Sequence, residues 1–201
     1  MLRADSARRM SNSSYAEPAF SPAAPRGAIE SYLRAKDCNQ PHWTERAFAE
    51  DAVLEMAVAA ETIAFPPLTQ GRAAITEVLV RRFAQTYETV RTFCLAPPPR
   101  EDARQYSCAW LVGMSEKEGR TVRVGCGRYD WCFADRSPRL AERLSIIIAR
   151  METMPAERLV PVMHWLSPLA WPWCTVAAAL QGMPPFAELE PVRRYLASEA
   201  A

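Results

Sequence analysis

The chain has 201 residues, is 49% hydrophobic and carries 24 basic against 23 acidic side chains, a formal net charge of +1. That supplies one domain with a core plus appendages. The charge is too balanced, and the arginines too scattered, for a nucleic-acid-binding surface. The six cysteines form no CxxC and only two histidines accompany them, so zinc spacing is absent. Reduced thiols, a cytoplasmic setting, no metal and no cofactor are expected.

Residues 1–26 mix Ser, Ala, Pro and Arg without periodicity or the apolar stretch of a signal peptide, and read as a mobile arm. From Gly27 onward Ile29, Tyr32, Leu33 and Lys36 follow helical spacing, and Pro41 opens a second short helix through Phe48. A strand over residues 52–59 follows. Gly71 begins a third helix, 72–87, with Ile75, Val78, Leu79 and Phe83 on one stripe. Residues 88–95 are β-branched and strand-like, and Pro97–Pro98–Pro99 ends that ladder.

Residues 105–114 form another strand, and 115–119 make a polar hairpin turn. The next strand, 120–133, alternates Tyr129, Trp131 and Phe133 with Arg128, Asp130 and Cys132, the period-two pattern of two unlike faces. Within it, Gly125–Cys126–Gly127 marks a bulge that bends the sheet. The last strand, 140–151, carries Leu144, Ile146, Ile147 and Ile148. This order predicts an α+β domain over 27–154, a curved antiparallel sheet wrapped around N-terminal helices as a cone with an internal pocket. No nucleophile elbow, phosphate loop or dinucleotide fingerprint interrupts it.

Residues 155–201 form an extension. Its stretch 159–180 has no formal charge, yet Pro161, Pro168 and Pro172 break any single helix. Two or three short helices packed on the domain or on a partner subunit are expected, anchored by Trp165, Trp171 and Trp173. Membrane association is disfavoured. The uncharged surface predicts a homodimer.

The segments Ile29–x–x–Tyr32–x–x–Ala35, Phe48–Ala49–Glu50–Asp51–Ala52–Val53, Gly71–Arg72–Ala73–Ala74–Ile75 and Gly127–Arg128–Tyr129–Asp130–Trp131 stand in a telling order. In that order the sequence resembles the nuclear transport factor 2-like superfamily, its SnoaL-like and ketosteroid-isomerase-like members in particular. The resemblance implies the cone fold. It places the family's oxyanion-stabilising tyrosine at Tyr32, its general base at Met56 and its second pocket acid at Tyr129.

Three residues are candidates for catalysis. Asp130, countered by Arg128, would be a base in an apolar cavity, Tyr32 a donor to an oxyanion, and His42 a base tuned near neutral pH. If Tyr129, Trp131 and Phe133 face inward instead, Arg128 and Asp130 form an outer ion pair. Trp43, Glu55, Trp110, Arg128, Tyr129 and Trp131 are the candidate ligand-binding residues. Two functions remain open. One is a cofactor-independent lyase, isomerase or hydrolase acting on a small hydrophobic or polycyclic molecule. The other is a non-catalytic ligand-binding or dimeric scaffold protein of the same fold.

Overall fold

A computed structural model describes residues 24–59 and 64–199. The expected arm, 1–26, lies almost wholly outside the described residues. Helix α1 (Pro25–Asp37) starts with proline in its first turn, where a missing N–H costs nothing. It buries Ile29, Tyr32 and Leu33, and Lys36 follows them inward on the same stripe. The expected second helix is a 3-10 segment, Pro41–Arg46, because the chain must turn at once into strand β1 (Phe48–Val58).

After β2 (Leu68–Gln70), the expected third helix is divided. It runs as α2 (Arg72–Thr76), a π-helical stretch Glu77–Arg82 and a closing turn α3 (Phe83–Thr86). Strands β3 (Tyr87–Cys94), β4 (Gln105–Glu116), β5 (Val122–Phe133) and β6 (Ala141–Met154) complete one sheet, in the order β2-β1-β6-β5-β4-β3. The sheet is mixed, not antiparallel throughout as expected: β1 runs parallel to β6 while every other pair is antiparallel. Two strands this far apart in sequence meet through helices and four intervening strands, so no hairpin dictates their direction.

The bulge falls where the glycines mark it. Between Cys126 and Gly127 the pairing skips one residue of β6, Ala149. The extra residue resets the alternation of β6, so Leu144, Ile146 and Ile148 and then Met151 all belong to the same core. Gly127 is required there. A Cβ at that position would run into the Ile147 carbonyl and lie 3.0 Å from the Trp110 ring.

Two cores lie on the two faces of the sheet. The concave one gathers α1, the 72–86 segment and the inward side chains of β1, β4, β5 and β6. The convex one is closed by the extension: α4 (Leu159–Leu166), α5 (Val176–Gln181) and α6 (Glu190–Glu199). These cover Leu111, Val122, Val124 and Cys126 with Leu166, Val192 and Leu196. Trp165 is buried there, whereas Trp171 is exposed and anchors nothing. The segment before α5 also docks on the edge of β3, where Cys94 donates to Pro172 O (2.7 Å) and Cys174 N donates back to Cys94 O (3.1 Å). An otherwise open strand edge is thereby covered. Among the described residues no helix is long and apolar enough to cross a membrane.

Candidate functional site

The concave core leaves a cavity of about 50 Å³ between α1, the sheet and the π-helical stretch. Its walls are Met56, Trp110, Tyr129, Ile146 and Met151 on the sheet, Tyr32 and Lys36 on α1, and Leu79, Phe83 and Phe65 opposite. The phase of β5 decides which side chains reach it. Tyr129, Trp131 and Phe133 point inward and are buried, so Arg128, Asp130 and Cys132 point outward.

Asp130 therefore lies on the convex face. It accepts from Ser107 Oγ (2.6 Å) and from Arg128 Nε (3.1 Å), beside solvent. Glu55 lies on that face too, held by Arg143 and by Ser145 Oγ (2.7 Å). The pairing aligns Glu55, Ser145, Asp130 and Ser107 in one transverse row across four strands. Neither carboxylate reaches the cavity. His42 is exposed on the 3-10 segment, and Trp43 lies between the guanidinium groups of Arg34 and Arg46 at 4.3 and 4.6 Å. Both are outside the cavity. Trp131 is core, stacked on Phe133 and Phe48, and does not line it.

Of the candidates, Tyr32, Trp110 and Tyr129 come together. Trp110 stacks on Tyr129 at 5.5 Å, and Tyr129 meets Tyr32 edge-on at 6.1 Å. The two phenols lie against each other, and burial pushes both well above the ordinary tyrosine range. They remain neutral donors. Trp110 Nε1 is buried without a hydrogen-bond partner among the described residues; so is Trp131 Nε1, deeper in the core. An unpaired buried N–H costs about 1–3 kcal/mol.

Lys36 is the cavity residue that the candidate list omits. Its Nζ donates to Asp37 Oδ1 (2.6 Å) and Thr92 Oγ1 (2.7 Å), and sits 4.8 Å from the Phe83 ring centroid. Asp37 in turn accepts from the Thr92 N–H (2.7 Å) and hydroxyl (2.8 Å). The pair is nearly fully buried. Its signal was present in the sequence: a lysine placed on the apolar stripe of a helix has to find a partner inside.

Glu30 was missed as well. Its Oε1 accepts from Arg26 (2.8 Å) and from Trp173 Nε1 (2.6 Å), tying the extension to α1, while Oε2 is buried without a hydrogen-bond partner among the described residues.

The cavity's polar groups are thus an indole N–H, a phenol pair and a tied ammonium. Among the described residues no carboxylate lines it. Burial also pushes the thiols up, Cys126 to about 12 and Cys174 to about 11, which removes them as nucleophiles. Among the described residues no group of three His, Cys, Asp or Glu converges on a point.

No family model and no curated protein matches the sequence. Solved structures match the fold. The Δ5-3-ketosteroid isomerase of Mycobacterium sp. is 19% identical, over 67% of this chain and 100% of that one, with a TM-score of 0.50. LinA is 13% identical over 67% and 88%, with a TM-score of 0.52. A hexachlorocyclohexane dehydrochlorinase, LinA type 2, is 14% identical over 67% and 88%, with a TM-score of 0.49. At such identities the likeness to the first two establishes the fold alone, a ketosteroid-isomerase-like cone.

Proposed function

We propose that this ketosteroid-isomerase-like cone is a ligand-binding protein whose cavity holds a compact, mainly apolar molecule by a hydrogen-bond acceptor and releases it unchanged. The observation that carries this reading is the polar lining. Trp110 on its wall has an indole N–H without a partner among the described residues, Tyr32 and Tyr129 bring neutral phenols, and Lys36 is held by Asp37 and Thr92. A bound carbonyl would find donors. Among the described residues it would find no carboxylate to take its α-proton: Met56 stands where the resemblance puts the base, and a thioether accepts no proton at neutral pH.

Volume sets the size of the guest. About 50 Å³ is far below the roughly 300–1,000 Å³ of sites for drug-sized molecules, so a small ketone replaces the expected polycyclic ligand. Five heavy atoms at a ceiling of about 1.5 kcal/mol each cannot exceed about 7.5 kcal/mol, which is micromolar at the very best.

The test is a titration of isotopically labelled protein with butanone, following the indole N–H of Trp110 assigned through Trp110→Phe. That resonance shifts and saturates, while deuterium exchange at the butanone α-carbons stays at the buffer rate. Met56→Asp then places a carboxylate against the bound ketone. Exchange rises by about 100-fold or more, and climbs with pH above the ordinary carboxylate range, because burial raises the new group's pKa. Exchange by the unaltered protein above the buffer rate would overturn the binding reading in favour of an enzyme. An unmoved Trp110 signal removes the cavity as a site.

A further inference from the structure

The inner cavity is too small to hold a ligand firmly on its own, and it is not isolated. A second hollow of about 310 Å³ lies outside it, lined by Pro66, Val78, Arg82, Thr86 and Tyr87. The two spaces share Phe65 and Phe83 as a common wall. The helical segment between them explains the arrangement. In its π-helical stretch Leu79 faces the inner cavity while Val78 and Arg82 face the outer hollow, with Phe83 belonging to both. One segment thus presents an apolar side inward and a cation outward.

Among the described residues Arg82 is the charged side chain that lines the outer hollow. Glu77 takes its Nε–H at 3.2 Å across an exposed pair, which leaves the Nη donors for a ligand. Arg81 leans on the same glutamate at 3.8 Å, so the trio keeps one positive charge in excess. An exposed pair of this kind contributes little and exchanges readily.

We infer that the two hollows form one bipartite site across the Phe65–Phe83 wall, and that its ligand is an amphiphile: a short apolar, carbonyl-bearing end inside and a carboxylate outside on Arg82. The inference rests on the ligand-binding reading above and adds the ligand's charge and length. Phe65 swings aside for the chain that joins the two ends, since it is only half-buried and sits on the loop before β2, while the buried Phe83 stays as the fixed side of the passage. A carboxylate on a guanidinium makes a charge-assisted, two-point contact that a neutral head group cannot copy. The inner cavity then selects for a slim end and the outer hollow for the anion.

The probes are 7-oxooctanoate and octan-2-one, which share the methyl ketone and differ in the carboxylate. Titrations follow the Trp110 indole N–H at low salt. The oxo acid binds about tenfold more tightly than the ketone. Arg82→Gln removes that advantage and leaves octan-2-one unchanged, whereas Arg100→Gln, at an exposed arginine that pairs with Asp102 and lines neither hollow, alters neither. Equal affinities of the two probes, or an advantage that survives Arg82→Gln, overturns the bipartite site while the inner cavity stands. If butanone and octan-2-one both leave Trp110 unmoved, it is the cavity reading itself that fails.

Discussion

The two faces of β5 are finished in different ways. On the convex face Val122, Val124 and Cys126 are covered by the protein's own extension, and Trp165, which helps to cover them, donates its indole N–H to Ala179 O at 2.8 Å. On the concave face Tyr129 and its neighbour Trp110 are equally buried, yet the Trp110 indole finds no acceptor among the described residues. One face is completed by chain. The other is built of the same residue types and leaves a donor over a cavity. Buried polar groups in folded proteins are nearly always paired, so an unpaired donor on the wall of a cavity is the observation on which the proposed binding role rests.

The largest perturbation of this contrast is removal of residues 155–201. It would bare the apolar convex strip from Phe93 and Leu111 to Val124 and Met154. A contiguous patch of that kind drives association. The shortened chain is expected to aggregate or self-associate in light scattering at concentrations where the full chain does not. A soluble, unchanged species would mean that the extension is not what completes the fold.

Next comes the clamp at the cavity wall. Lys36→Met strands the buried Asp37 carboxylate, and breaking such a pair costs about 3–5 kcal/mol. For a chain of this size that lowers Tm by about 10 °C. Replacing all three partners at once, Lys36→Met with Asp37→Leu and Thr92→Val, should recover most of the loss, because no unpaired charge then remains. A Lys36→Met protein as stable as its parent would show that water reaches Asp37, and with it the cavity.

Part of this was readable from the residues. The helical stripe of α1, the alternation of β5 and the glycine-marked bulge all rest on local periodicity, and each stands in the structure. Periodicity also tells that Arg128 and Asp130 share a face. It does not tell which face is inside, because the extension makes half of the convex side as apolar as the concave one. The parallel meeting of β1 and β6 depends on contacts between distant segments, and no local pattern encodes it. Lys36 was counted into the apolar stripe as spacing alone suggested, and its charge was the overlooked clue.

A closer comparison sets one tryptophan against another. Trp165→Phe removes a ring edge and leaves the Ala179 carbonyl short of its donor, whereas Trp110→Phe removes a similar volume together with an N–H that had no partner. Both lose packing, but only the first breaks a made hydrogen bond. Trp165→Phe is therefore expected to cost about 1–2 kcal/mol more than Trp110→Phe in urea unfolding. Equal losses would mean that the Trp110 donor is satisfied in solution, and would remove the reason to place a ligand's acceptor there.

The smallest effect lies at the far end of the same sheet, where charge rather than packing is at issue. Glu116, at the end of β4, accepts from the Thr121 hydroxyl and pairs with Arg123 Nη2 at 2.8 Å. The hydroxyl first, and the arginine with it, hold the Glu116 carboxyl below the usual glutamate range. A carboxyl depressed in the folded state stabilises the protein above its unfolded pKa, and the gain disappears as pH falls through the folded value. Solvent at this turn screens the interaction, so Glu116→Gln should lose less than about 1 kcal/mol at pH 7. The difference from the parent should close progressively below about pH 4, near the unfolded glutamate value. Melting curves across that range measure it, and a gap that persists unchanged at pH 2 would mean that Glu116 acts through its shape at the turn and not through its charge.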